Sequence, residues 1–299
     1  MHLWGIDLGG TKIECAILES RKHPNVMARQ RVPTEAHLGY EHIIGQVVKI
    51  VDLLVQETGI KPASIGLGHP GTLDRNTGGI KNANTTALNG KPFDKDLEKA
   101  LGIPVKLAND ANCFAVAEAH MGAVPDRLPN AEVVFGVIMG TGVGGGLVVN
   151  GKVVNGRQGI GGEWGHNHLD DSGGMCYCGK LGCVETVISG PALERYYAGL
   201  TGEKLHLREI VALAEGKTDP AAIQTMDRLI HFFGKAIAVV INIIDPDVIV
   251  LGGGVGNCDR LYSDGVLEVG KHVFNTRVDT MFLRPKLGDS AGVFGAALL

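Results

Sequence analysis

The 299-residue sequence predicts an α/β protein of two lobes about a central cleft, on three observations. Its length exceeds the roughly 100 to 150 residues at which single domains are commonest. Strand-like apolar runs alternate with helix-period stretches along most of it. Glycine, at 44 residues about twice the average usage, gathers in two stretches that look alike, GIDLGGTKI (5–13) and GVIMGTGVGGGLVVNG (136–151).

Each glycine stretch is an apolar run, a turn and a second apolar run, so each reads as a hairpin. The second holds Gly140-x-Gly142-x-x-Gly145, but a dinucleotide fingerprint needs a helix after its glycines. Here the β-rich LVVNGKVV follows, with an Asn-Gly turn signal. A Rossmann site is therefore not expected, and no Walker-type G-x-x-x-x-G-K-[ST] occurs. Between the hairpins, YEHIIGQVVKIVDLLVQE (40–57) spaces Ile44, Val47, Val48, Val51, Leu54 and Val55 as one helix face, ended by Gly59. IGLGHPG (65–71) reads as a strand into a Pro-Gly turn, and PVKLAN (104–109) as a strand feeding a helix that begins near Asp110. In the second half, DPAAIQTMDRLIHFFGKAIAVVINIIDP (219–246) predicts one long, mostly buried helix. DVIVLGGGV (247–255) predicts a buried strand ending in glycines, and LGDSAGVFGAALL (287–299) a glycine loop and short helix.

The net charge of −4 offers no basic field for nucleic acid. No stretch reaches 18 apolar residues and the opening MHLWGIDLGG has no basic leader region, so a cytoplasmic protein away from membranes is expected.

Turn glycines let successive backbone N–H groups close on an anion, and two such nests suggest a polyphosphate. Asp7, just before the first turn, is placed to hold a hydrated Mg²⁺ bridging phosphate oxygens, and Thr11 and Thr141 add hydroxyl donors. The plainer alternative is a pair of tight turns. Asp110 at a strand-to-helix corner is either a carboxylate that accepts a proton from an acceptor hydroxyl or an ordinary helix N-cap. CYCGKLGC (176–183) packs three of the six cysteines into one loop, after the histidines of GGEWGHNHL (161–169). Cys176, Cys178, Cys183 and an imidazole make the N/S set of four that a closed structural zinc site takes. His166 and His168 compete for the histidine position, and three reduced thiols without metal are the alternative.

The motifs GIDLGGTK, GTGVGGG, LANDAN, GEWGH and CYCGKLGCVE, in order and spanning the chain, resemble the ROK family of bacterial sugar kinases and repressors. That resemblance implies the two-lobed actin-like ATPase (ribonuclease H-like) fold, with a smaller lobe of 1–116 plus 289–299 and a larger lobe of 117–288 carrying the zinc loop. It implies Asp110 as the catalytic base and Asn109, Glu163, His166 and Glu185 as sugar-binding residues, with Asn84 and Gly71 lesser candidates for the same pocket. ATP is expected at Gly5, Asp7, Gly9, Gly10, Thr11, Lys12, Gly140, Thr141, Gly142, Gly144, Gly253 and Gly254, with Mg²⁺ on Asp7. The family pattern favours His166 beside Cys176, Cys178 and Cys183 for zinc.

KNANTTALNGKPFDKDL and INIIDPDVIVLGGG are similar to the fructokinase and mannokinase branch. The expected activity is therefore ATP-dependent phosphorylation of fructose, or mannose, to the 6-phosphate. The alternatives are a kinase for glucose or N-acetylglucosamine and a non-catalytic sugar-binding regulator. The family's repressors carry an added N-terminal helix-turn-helix, for which a first strand starting near Leu3 leaves no room. A homodimer is implied by the resemblance alone.

Overall fold

A computed structural model describes residues 2–299. The chain divides into two discontinuous units: residues up to Pro125 with Gly146–Gly161 and Lys286–Leu299, and Asp126–Gly145 with Gly162–Pro285.

The first unit is built on the strands β1 (Leu3–Leu8), β2 (Lys12–Leu18), β3 (Val26–Pro33), β4 (Ile65–His69) and β7 (Val105–Asn109), in the order β3-β2-β1-β4-β7. The short β5 (Thr72–Leu73) and β6 (Ile80–Lys81) pair separately. The β1–β2 pair is antiparallel and closes at Leu8↔Ile13, as the first glycine stretch predicts. β4 runs parallel to both β1 and β7, and parallel strands need crossovers. Helices α1 (Tyr40–Thr58) and α2 (Phe93–Leu101) supply them. α1 ends at Gly59 with φ 71°, where glycine carries no steric penalty. Its buried stripe includes Ile43 and Ile50, whereas Val48 and Val55 are only half-buried, so the face is rotated from the predicted one.

Helix α3 (Asp110–His120) leaves β7 at the predicted corner, and α4 (Ala123–Arg127) follows. The C-terminal α11 (Ala291–Ala297) lies across β1 and β4 so closely that a Cβ on Gly5 would overlap the Val293 carbonyl, and one on Gly66 the Ala296 carbonyl. Gly5, expected at the nucleotide, is thus a packing glycine in mid-strand.

Two fully buried carboxylates fasten the chain before α11. Glu14 accepts from Arg31 Nε at 2.9 Å and Ser290 Oγ at 2.9 Å. Glu118 accepts from the backbone N–H of Ala123 at 2.8 Å and of Lys286 and Leu287 at 3.0 Å. Because Glu118 holds residues 286–287, the first unit extends past the expected boundaries at 116 and 289. Residues 146–161 join it for the same kind of reason: Gly146 abuts Ala111 and Ala115, and His120 Nε2 bonds the Gly151 carbonyl at 2.8 Å.

The second sheet is ordered β10-β9-β8-β11-β12, from β8 (Val133–Met139), β9 (Val143–Val149), β10 (Lys152–Val153), β11 (Val248–Gly252) and β12 (Met281–Leu283). The division between units falls within β9. No helix follows Gly145; β9 turns back through Asn150 and Gly151, both at positive φ, into β10. The second unit adds α5 (Val184–Ile188), α6 (Gly190–Thr201), α7 (Leu207–Glu215), α8 (Pro220–Ile244), α9 (Gly253–Gly256) and α10 (Asp264–Gly270). Asp219 caps α8 through the Ala221 N–H at 2.8 Å, with Pro220 in its first turn, and Asp245 ends it at φ 41°. α8 is not buried all round, since Val239 and Ile243 are 48% and 74% exposed. Among the described residues no helix is long and apolar enough to cross a membrane.

Candidate functional site

In the first unit the turn at 9–12 is fixed by Gly9 N–H donating to the Lys12 carbonyl and the buried Thr34 N–H donating to that of Thr11, both at 3.0 Å. Gly10 and Thr11 remain exposed at its tip, and Lys12 begins β2. Asp7 lies one strand residue before, and a Cβ on Gly292 would come within 3.0 Å of its carboxyl carbon, so glycine keeps the space beside it. Burial, then the negative charges of Asp110 and Glu14, push the Asp7 carboxyl up to about 7.

The corner at Asp110 separates two roles that the sequence leaves merged. Asn109 is the N-cap of α3, its Oδ1 accepting the Ala111 N–H at 2.9 Å while its Nδ2 donates to the Gly71 carbonyl at 3.2 Å. Asp110 is therefore not needed as the cap, although its Oδ1 also accepts from Ala111 at 2.8 Å. Asp110 stays open to water, yet the protein crowded around its carboxyl thins its hydration and raises its pKa.

A small cavity of about 80 Å³ adjoins Asn109, lined also by His69, Thr72, Arg75 and Asn155. His69 is fully buried with Nδ1 2.8 Å from the Pro70 carbonyl, and burial holds its imidazole down to about 4. Asn84 is exposed on the loop before α2. Asn89, which sequence reasoning passed over, shapes that loop by bonding both the N–H and the carbonyl of Ala83 at 2.9 Å. Gly71, at φ 79°, could not carry a side chain without striking the Lys81 carbonyl.

In the second unit the turn at 140–142 is held by Gly140 N–H on the Gly142 carbonyl and Gly190 N–H on the Gly140 carbonyl, both 2.8 Å, with Thr141 exposed at the tip. Two side chains, one from the 3₁₀ turn ahead of the cysteine loop and one from α5 after it, grip this hairpin. Trp164 donates from Nε1 to the Gly144 carbonyl at 2.9 Å and fills the space that a Cβ on Gly145 would occupy. Glu185 Oε2 accepts the Val143 N–H at 3.0 Å, and a Cβ on Gly142 would overlap it. Glu163 stands at the entry to the short 3₁₀ turn Trp164–His166. Gly253 adopts φ 81° with no room for a side chain beside Met139, whereas Gly254 faces open space.

The cysteine loop brings the predicted ligands together. Among the described residues, one nitrogen of His166 and the sulfurs of Cys176, Cys178 and Cys183 all lie within 4.8 Å of one another. Cys178 and Cys183 are 3.6 Å apart at sulfur, and His166 Nδ1 is 3.6 Å from the Cys176 sulfur. A tetrahedral zinc with ordinary bond lengths requires edges of about 3.8 Å for S···S and about 3.6 Å for S···N, so the donor set fits that ion. His168 is elsewhere engaged, its Nε2 2.9 Å from Asp171. The free nitrogen of His166 is not open either: Nε2 meets the Tyr177 hydroxyl at 3.0 Å, the two rings edge to face.

Residues 3–299 match the family model described as ROK family. The chain belongs to the ROK family. The N-acetyl-D-glucosamine kinase of Vibrio cholerae is 35% identical to this ROK protein over 306 residues, covering 99% of this chain and 98% of the relative. Among solved structures, the ROK hexokinase of Thermus thermophilus is 35% identical at a TM-score of 0.88, covering 100% of this chain and 97% of that one. A ROK glucokinase of Streptomyces griseus, in complex with glucose and AMPPNP, is 27% identical at 0.78, covering 99% and 98%. The fold is accordingly the actin-like ATPase fold of ROK kinases. The expectation of a fructokinase or mannokinase finds no support in these names: relatives alike along the whole chain are N-acetyl-D-glucosamine kinases, and the stretches that suggested the other branch are short and partly loop.

Proposed function

We propose that this ROK-family chain is an ATP-dependent hexose kinase whose substrate is N-acetyl-D-glucosamine, phosphorylated at the 6-hydroxyl. Activity as a sugar kinase accords with the relatives' names. The observation that carries the chemistry is Asp110, water-accessible, with a raised pKa, and sharing the Ala111 N–H with the N-cap Asn109 through Oδ1 alone.

Phosphoryl transfer asks the protein for position and charge more than for covalent work. Backbone N–H groups at the exposed tips, Gly10 and Thr11 in one hairpin and Thr141 in the other, bind phosphate oxygens. Asp110 takes the proton of the acceptor hydroxyl as its oxygen bonds to the γ-phosphorus of ATP and the bond from that phosphorus to the bridging oxygen breaks, ADP leaving with the electron pair, and a carboxyl raised towards the working pH suits that exchange. Asn109, Glu163 and Glu185 orient the sugar by accepting from its hydroxyls, and Asn84 approaches from its loop. His166 joins them when a sugar hydroxyl replaces that of Tyr177 on Nε2.

Asp7 would hold Mg²⁺: burial first and then the charges of Asp110 and Glu14 raise its pKa, and a divalent cation would relieve that crowding of negative charge. Held there, Mg²⁺ would supply neutralisation of phosphate charge. His166, Cys176, Cys178 and Cys183 would hold zinc, which supplies a fixed anchor to a loop with little apolar burial of its own.

The test is a coupled assay with ATP and, in turn, N-acetylglucosamine, glucose, mannose and fructose. The highest kcat/KM is expected with N-acetylglucosamine. A higher value with fructose would return the reading to the other branch, and turnover of none would defeat the kinase reading.

A further inference from the structure

Away from the hairpins, three side chains of the second unit converge in a way that phosphoryl transfer does not use. His231 lies midway along α8, Glu268 on α10 and His272 just beyond α10. His231 Nδ1 is 3.1 Å and His272 Nε2 is 3.3 Å from the same carboxylate oxygen, Glu268 Oε1. All three donor atoms lie within 4.8 Å of one another. We propose that His231, Glu268 and His272 form a second metal site, for a divalent transition ion of the zinc, nickel or copper type.

Chemistry and geometry support it separately. Two imidazoles and one carboxylate are the ligand types such ions take, and the set differs from the thiolate-rich quartet of the cysteine loop. Ordinary zinc–nitrogen and zinc–oxygen bonds place N and O about 3.4 Å apart around a tetrahedral ion, close to both observed separations. The carboxylate is prepared for the role: its side chain is only 12% exposed, and Lys271 bonds its other oxygen, leaving Oε1 to face the imidazoles. The histidines are 47% and 30% exposed, which gives an ion an entry path and leaves coordination positions for water.

The backbone is shaped for the approach as well. A Cβ on Gly234, one turn along α8 from His231, would come within 2.9 Å of the Glu268 backbone, so glycine admits α10 at this point. An ion held by one residue of α8 and two from α10 and its end would tie these helices together.

The site is tested on the full chain, purified with its bound zinc quantified, by calorimetric titration with Ni²⁺. The wild type is expected to take up one equivalent, with a rise in Tm on loading. His231→Gln and His272→Gln should each weaken uptake at least about tenfold, since even outer-shell partners of a metal are worth roughly that much. Cys178→Ala should leave the uptake in place. Equal metal-free Tm values for the two histidine variants and wild type establish that they fold, and should one not fold the other decides. Cu²⁺ spin resonance on the unmutated protein should show coupling to two imidazole nitrogens. No Ni²⁺ uptake by the wild type, undiminished uptake by the histidine variants, or a copper spectrum without two nitrogens would overturn the assignment.

Discussion

Replacing Gly142 by alanine probes how the second hairpin and Glu185 depend on each other. The glycine's φ is not in the left-handed region, so the backbone tolerates a side chain and the cost lies in contact. The new Cβ overlaps Glu185 Oε2 and sits 3.4 Å from its Cδ, so the carboxylate must swing away. Doing so breaks its 3.0 Å bond from the Val143 N–H. A hydrogen bond to a charged group contributes about 1.5–3 kcal/mol, which corresponds to roughly a 10- to 150-fold loss if the displaced carboxylate is also the one that orients the sugar. The assay is kcat/KM for N-acetylglucosamine at saturating ATP, in wild type, Gly142→Ala, Glu185→Ala and the double variant. With the carboxylate already removed, the alanine should change kcat/KM by less than about twofold, a strongly non-additive cycle. Equal losses from Gly142→Ala in both backgrounds would refute the reasoning, because the damage would then not pass through Glu185.

Three further outcomes follow from the same geometry. Cys178→Ala should lose the zinc of the cysteine loop and raise the sugar KM about tenfold or more with a smaller change in ATP KM, checked by metal analysis and steady-state kinetics; zinc loss with unchanged sugar KM would break the link between clamp and substrate. Tyr177→Phe removes the hydroxyl that occupies His166 Nε2 and should lower the sugar KM several-fold, whereas a higher KM would make that hydroxyl a sugar ligand instead. Asp7 has a folded-state pKa raised from 3.8 to about 7, so its contribution to stability is present below pH 4 and is lost as pH rises to about 7. Without divalent cation, Asp7→Asn should therefore be more stable than wild type at pH 8, by at most about 4 kcal/mol, and not at pH 4; a difference independent of pH in thermal melts would contradict this.

What the sequence disclosed is what short stretches encode. Both hairpins, the Asn150-Gly151 turn, the helix beginning at Asp110 and the gathering of three thiols in one loop rest on residues a few positions apart, where spacing and residue type suffice; the choice of His166 over His168 beside those thiols came from the family resemblance. The roles it concealed come from partners far along the chain. Gly5 looks like part of a phosphate turn, but α11, nearly 290 residues later, decides its purpose. Glu185 reads as a sugar ligand, and only the folded hairpin shows its bond to Val143. Glu14 and Glu118 are carboxylates amid apolar neighbours, a signal that could have marked them as buried anchors, although their partners at Ser290 and at 286–287 could not be named from it. In α1 the three-and-four spacing was present in two overlapping registers, and packing chose the one with Ile43 and Ile50.

The role of Asp110 is tested most directly by the kcat of Asp110→Asn with N-acetylglucosamine and ATP, measured beside the sugar's dissociation constant. Proton acceptance by this carboxylate predicts a kcat lower by about 10²- to 10⁴-fold with sugar binding altered only a few-fold. A variant that turns over within a few-fold of wild type would contradict it.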